Sequence, residues 1–275
     1  NGSDDIYGEG VPIEHGTNPD ERFSSGGADH THKYIVANAL IILSNDRGNS
    51  TFNGELNSSI LMEATDWPDK LGNETDTGTF AGHFYDPDSG KNWLGQTSPT
   101  ARTRVESYFK SAVDAYRSGD VQLAMSNLGK GIHYVSDLNE PHHASNLTAV
   151  NSNHSAFEKY VDKNRKSYTI AGNLFSESVY TTALNTSTGD LMYSAAKQAK
   201  SLVGSAQNES MYESVARQSI QHAIQTVTQY MYKFGKEVGI YWWYLRRLDI
   251  KKLISSLLLT LDIKSDKINK IYRKL

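Results

Sequence analysis

Residues 121–143, VQLAMSNLGKGIHYVSDLNEPHH, carry the decisive reading. The segment from about Val121 to Leu138 reads as a helix that Pro141 stops. On a helix, positions i and i+4 project to the same side, so His133 and Asp137 can converge on one point. Pro141 then turns the chain and lets His142 or His143 reach across the same cleft. A second pair, His154 and Glu158, repeats the spacing on the next expected helix, about His154 to Lys166. Either pair alone is most simply a surface ion pair. Two pairs on successive helices, with a further histidine at the turn between them, supply nitrogen and oxygen donors suited to Zn2+.

Working outward, Ile35, Val36, Ala39, Leu40 and Leu43 recur at helical spacing and predict a helix over about Asp29–Asn45. Further helices are expected over about Pro99–Arg117, Asp190–Val203 and Ser210–Gly235. Alternating valine and isoleucine runs are nearly absent. The fold class is therefore all-α, a multi-helix domain with long loops. The longest loop, from Pro68 to Pro99, holds Gly72, Gly78, Gly82, Gly90 and Gly95. Its backbone freedom lets Asp69 and His83 join donors that are distant in sequence. Asp86 to Gly90, by contrast, reads as an ordinary turn of Asp, Pro and Gly.

The whole chain has 275 residues, 28 basic and 31 acidic side chains and no cysteine. Disulfide scaffolds and Cys-ligated zinc are excluded, so any metal is held by nitrogen and oxygen. A net charge of −3 exerts no global pull toward nucleic acid, and none is expected as a partner. A monomer is the default. No apolar run approaches the roughly 18 residues of a membrane span. Three segments are expected: an irregular N-terminal arm (1–27) that is a candidate propeptide, a main domain (28–239), and a C-terminal tail (240–275). From Lys236 onward there are ten Lys/Arg against four Asp/Glu. There Ile250, Leu253, Ile254, Leu257 and Leu261 share one helical face behind Trp242 and Trp243. Such a helix either packs on the body or lies on an anionic membrane surface.

The runs HFYDPDSGK (83–91), LGKGIHYVSDLNEPHHASNLTAV (128–150), HSAFEKY (154–160) and THKYIVANAL (31–40) resemble the bacterial zinc-dependent phospholipases C. These include the Bacillus phosphatidylcholine-preferring enzyme and the catalytic domain of clostridial α-toxin. The resemblance covers about residues 28 to 239. It implies a secreted enzyme that cleaves glycerophospholipids to diacylglycerol and a phosphorylated headgroup at a membrane surface. The wider superfamily contains the S1/P1-type single-strand nucleases, so a nuclease or 3′-nucleotidase is the alternative activity. A zinc-bearing, non-catalytic lipid-binding module is a third.

Carried over residue by residue, the resemblance implies two to three zinc ions. Asp69, His83, His133 and Asp137 hold the first, and His143, His154 and Glu158 the second. His32 with a bridging Asp137 holds the third. Asp66 is a substitute for Asp69, and His142 takes a variable position. Asp69 doubles as a proton acceptor, and Phe80 aligns with an aromatic that contacts the headgroup. Two departures stand out. Lys70 replaces the tyrosine the family often has beside Asp69, which bears on headgroup preference. No Trp precedes Trp67, whereas the family completes its third site with an N-terminal Trp.

Overall fold

In the computed structural model, which describes residues 30–170 and 175–241, the sequence builds helices α1 (Thr31–Arg47), α2 (Glu55–Thr65), α3 (Ala101–Arg117), α4 (Val121–Asp137), α5 (His154–Asn164), α6 (Glu177–Asn185), α7 (Thr188–Lys200), α8 (Val203–Ala206) and α9 (Tyr212–Glu237). Among the described residues the sole β-type pairing is an isolated bridge, Asp86 to Lys91. The all-α expectation therefore holds. The N-terminal arm and the tail beyond Tyr241 lie outside the described residues.

α4 is the axis of the assembly. Asp120 caps it by accepting a hydrogen bond from the Leu123 N–H at 2.9 Å. Ala124, Met125, Leu128, Ile132 and Val135 are buried along it. α3 begins at a Thr100/Thr103 capping box and turns into α4 through Gly119, whose φ of 92° suits glycine. So short a connection makes the two helices an antiparallel hairpin. α2 lies on another side of α4 at Gly129, where an added Cβ would stand 2.5 Å from the Leu61 carbonyl oxygen. α9 closes the core, with Tyr230 against Gly131, and α1 packs along α9.

α2 and α6 were not legible from periodicity. α2 buries only Leu61, Ala64 and Thr65, and leaves Leu56 exposed. α6 buries only Tyr180 and Ala183. Both are short helices fixed by their neighbours rather than by a strong apolar stripe of their own. The helix expected to reach Lys166 ends at Asn164 and tightens into a 3-10 turn over Arg165–Tyr168.

The start of α1 is held from outside. His30 makes no side-chain cap, and Asp162 of α5 accepts from the Thr31 N–H (3.2 Å) and hydroxyl (2.8 Å) instead. A carboxylate at a helix N-terminus also complements the macrodipole. Burial works against ionisation of Asp162, but His30, Arg165 and Thr31 outweigh it and hold its carboxyl below the usual value. His32, one residue beyond Thr31, is thereby fixed in place.

Two stability measurements test these contacts. Gly129→Val is expected to cost about 2 kcal/mol in urea unfolding, because helix α2 has to move away; an unchanged midpoint would contradict the close approach. Asp162→Ala is expected to cost about 1–2 kcal/mol at pH 7. A depressed carboxyl stabilises the fold above its unfolded value, about 3.9, and less as pH falls through its folded one. The gap between wild type and Asp162→Ala should therefore narrow at pH 3.

Candidate metal centre

The last turn of α4 brings His133 and Asp137 to one end of the core, both almost wholly buried. The loop from Asp66 to Phe84 delivers Asp69 and His83 to the same place. His83 Nδ1 lies 3.0 Å from Asp137 Oδ2 and 3.0 Å from His133 Nε2. Asp69 Oδ1 is 3.4 Å from His133 Nε2 and 3.5 Å from His83 Nδ1, and His133 Nε2 is 3.4 Å from Asp137 Oδ2. Four donors placed tetrahedrally 2.0–2.2 Å from one centre sit roughly 3.3–3.6 Å apart. Three of the five distances fall in that range and two, at 3.0 Å, are slightly tighter, so the nest has about the size of a four-coordinate metal site.

The outward nitrogens settle what faces inward. His133 Nδ1 donates to the Thr65 carbonyl (2.7 Å) and His83 Nε2 to the Glu74 carbonyl (3.1 Å). Each neutral ring then points a lone pair at the other and at two carboxylates. That arrangement requires a cation. A proton supplies one in the bare protein: burial opposes charge on His133, yet Asp137 and Asp69 outweigh it and push this histidine well above its usual value. Burial opposes ionisation of Asp137, but His133 and His143, with the hydrogen bonds from His133 and His83, outweigh it and hold its carboxyl well below the carboxylate range.

A second cluster adjoins the first. α5 opens with His154 and places Glu158 one turn on, with His154 Nε2 3.0 Å from Glu158 Oε1. His143 donates from Nδ1 to the His83 carbonyl (2.8 Å), stacks on Phe84, and turns Nε2 to Glu158 Oε1 at 3.3 Å. His154 Nδ1 is buried without a hydrogen-bond partner, and Nε2 faces only the carboxylates of Glu158 and Glu140, as suits a ring placed to ligate a metal. On the other side His32 stacks on His133 with ring centroids 4.2 Å apart, its Nε2 3.8 Å from Asp137 Oδ1. Burial, with His133 beside it, pushes His32 down to about 3, so it presents a neutral ring. Asp137 thus faces His83 and His133 through Oδ2, and His32 and His143 through Oδ1.

The family model for zinc dependent phospholipase C matches residues 31–205. The chain belongs to that family. It is 34% identical over 173 residues to the phospholipase C of Paraclostridium bifermentans, covering 56% of this chain and 43% of that protein. A Bacillus cereus phospholipase C is 30% identical over 176 residues, or 59% of each chain. Alpha toxin from Clostridium absonum superposes with a TM-score of 0.66 at 26% identity, over 80% of this chain and 66% of that one. A Clostridium perfringens alpha-toxin gives 0.64 at 25%, over 80% and 65%. The chain spans about half the length of the curated relatives it matches. Zinc is the family's metal, and the nitrogen and oxygen donors assembled here suit it.

The eight residues singled out as metal ligands gather in two adjoining clusters: His32, Asp69, His83 and His133 with Asp137, and His154 and Glu158 with His143, which lies 4.0 Å from Asp137. Asp66, the substitute for Asp69, points elsewhere and pairs with Lys33 at 2.8 Å. Phe80 is half-buried with its ring 5.5 Å from that of His83, and its φ of 50° places it in the left-handed region. Asp76 and Thr77 share that conformation. Their loop is pinned by Arg104, which pairs with Asp76 and donates to Tyr134, whose hydroxyl donates to Glu74 at 2.6 Å.

Sequence reasoning missed this Arg104 brace, because its members are far apart in the chain. It also missed Glu140, wholly buried between His142 and His154. A carboxylate directly ahead of Pro141-His142-His143 was the available signal.

Bound zinc should stabilise the fold. At a thousandfold excess over its Kd an ion contributes about 4 kcal/mol, which raises the thermal midpoint on the order of 10 °C. A chelator should reverse this at pH 7. Acidification below about pH 6 should release the ion, because the histidines bind it only when neutral. A midpoint that responds to neither zinc nor chelator would contradict the reading.

Proposed function

We propose that this chain is the hydrolytic module of a phospholipase C, cleaving glycerophospholipids to diacylglycerol and a phosphorylated headgroup. The observation that supports it most is the four-donor nest of Asp69, His83, His133 and Asp137 in a chain of this family. In this reading those four hold one zinc ion and His143, His154 and Glu158 a second. His32 and the far oxygen of Asp137 contribute to a third. Zinc, when bound, lowers the pKa of a coordinated water toward about 7 and neutralises charge growing on phosphoryl oxygens.

The chain's own residues do the rest. Thr65 and Glu74 carbonyls fix the ring orientations of His133 and His83, so the donors need not rearrange during reaction. Asp69 is the least enclosed of the four, its side chain 9% exposed, which favours it as the group that accepts a proton from the attacking water. The half-buried ring of Phe80 offers a π-face to a choline-like headgroup. The substrate lies in a phospholipid surface, reached by a secreted, monomeric protein. Among the described residues no helix is long and apolar enough to cross a membrane.

The test is phosphocholine release from phosphatidylcholine liposomes by the zinc-loaded protein. Release should stop with a chelator and fall at least a thousandfold in His133→Ala, roughly the loss of 4 kcal/mol of transition-state stabilisation. Equal release by His133→Ala, or faster hydrolysis of single-stranded DNA than of lipid, would overturn the proposal.

A further inference from the structure

Glu140 has no part in the ligand set above, yet it is placed like a member of it. It follows α4 in a tight turn, its N–H donating to the Asp137 carbonyl at 2.9 Å, and Pro141 directs the chain onward to His143. Its side chain is wholly buried. Oε1 is fixed by His142 Nδ1 at 2.6 Å, while His142 Nε2 donates to Asn153 Oδ1 at 3.0 Å. The acceptor role of that oxygen is settled by the Asn153 amide nitrogen, which donates to the Ala206 carbonyl at 2.8 Å. Oε2 accepts from the His143 N–H at 2.7 Å and stands 3.8 Å from His154 Nε2. A carboxylate oxygen has two lone-pair directions, so the backbone bond leaves one for another partner. Donor atoms of Glu140, His143 and His154 all lie within 4.8 Å of one another, a spread that one divalent ion can span.

We infer that Glu140 is a fourth protein donor to the metal site of His143, His154 and Glu158, held in position by His142. The inference rests on the ligand set proposed above and adds to it. With Glu140 the ion has four protein donors, two carboxylate oxygens and two neutral imidazoles, the number that fills a four-coordinate site. The site so formed binds its ion tightly and keeps it through exchange.

The experiment compares zinc content and the rate of zinc transfer to a chromogenic chelator for wild type, Glu140→Gln and Glu158→Gln. Glutamine keeps the size and the acceptor for the His143 N–H but loses the charge. Glu140→Gln should release one ion at least tenfold faster than wild type, with the remaining ions and the circular dichroism spectrum unchanged. Glu158→Gln should do the same to the same ion. If Glu158→Gln loses that ion and Glu140→Gln keeps wild-type kinetics, the inference is wrong and the ligand set stands. If neither variant alters any ion, the ligand set itself fails. Should Glu140→Gln not fold, anomalous diffraction at the zinc edge from wild-type crystals decides. An ion within about 2.2 Å of Glu140 Oε2 supports the inference, and one more than about 3 Å away overturns it.

Discussion

Everything at the functional end of this molecule is arranged around one buried carboxylate. Asp137 is 1% exposed and closes α4, the end of a helix where the macrodipole disfavours negative charge. Burying an ionised carboxylate there is costly unless positive charge or dense hydrogen bonding compensates it. The compensation comes from His83, His133 and His143, and His32 brings a neutral ring up to the second oxygen. Each of these rings comes from a different part of the chain, so the electrostatic demand of Asp137 is also a folding constraint. α1, the 66–84 loop, α4 and the turn after it must all arrive together.

The packing supplies that convergence with little freedom. α4 is clamped by α2 at Gly129 and by α9 at Gly131, which sets the height at which His133 and Asp137 emerge. α5 uses three successive turns of one face: His154 and Glu158 serve the metal centre, and Asp162 ties down the start of α1 so that His32 meets Asp137. Arg104 does the same for the loop, bracing Asp76 and Tyr134 where Asp76, Thr77 and Phe80 adopt left-handed backbone angles. Strain of that kind persists only where surrounding contacts over-determine it, and it is typical of segments that present functional groups.

How much of this was legible in the sequence follows from the range of each interaction. His133/Asp137 and His154/Glu158 could be read directly, because a four-residue spacing on a helix is a local rule. The all-α class and the two helices α3 and α4 followed equally from local signals, helical periodicity and the stop at Pro141. The sequence reading preferred Asp69 and kept Asp66 as a substitute; the structure turns Asp66 to Lys33. Glu140 was hidden: next to Pro141 it resembles any polar turn residue, and only its burial against His142 and His154 sets it apart. α2 and α6 escaped notice because their helicity is imposed by partners.

The central claim is that Asp137 organises a multi-ion centre rather than a network of buried histidines held by protons. Zinc content by elemental mass spectrometry, measured on wild type and on Asp137→Asn after dialysis against trace zinc, addresses it most directly. Asparagine preserves the shape and one acceptor but removes the charge on which the surrounding rings converge. The account predicts at least two zinc ions per wild-type chain and the loss of at least one in Asp137→Asn with the fold retained. A wild-type chain that holds no zinc, or an Asp137→Asn chain that holds as much as wild type, would contradict it.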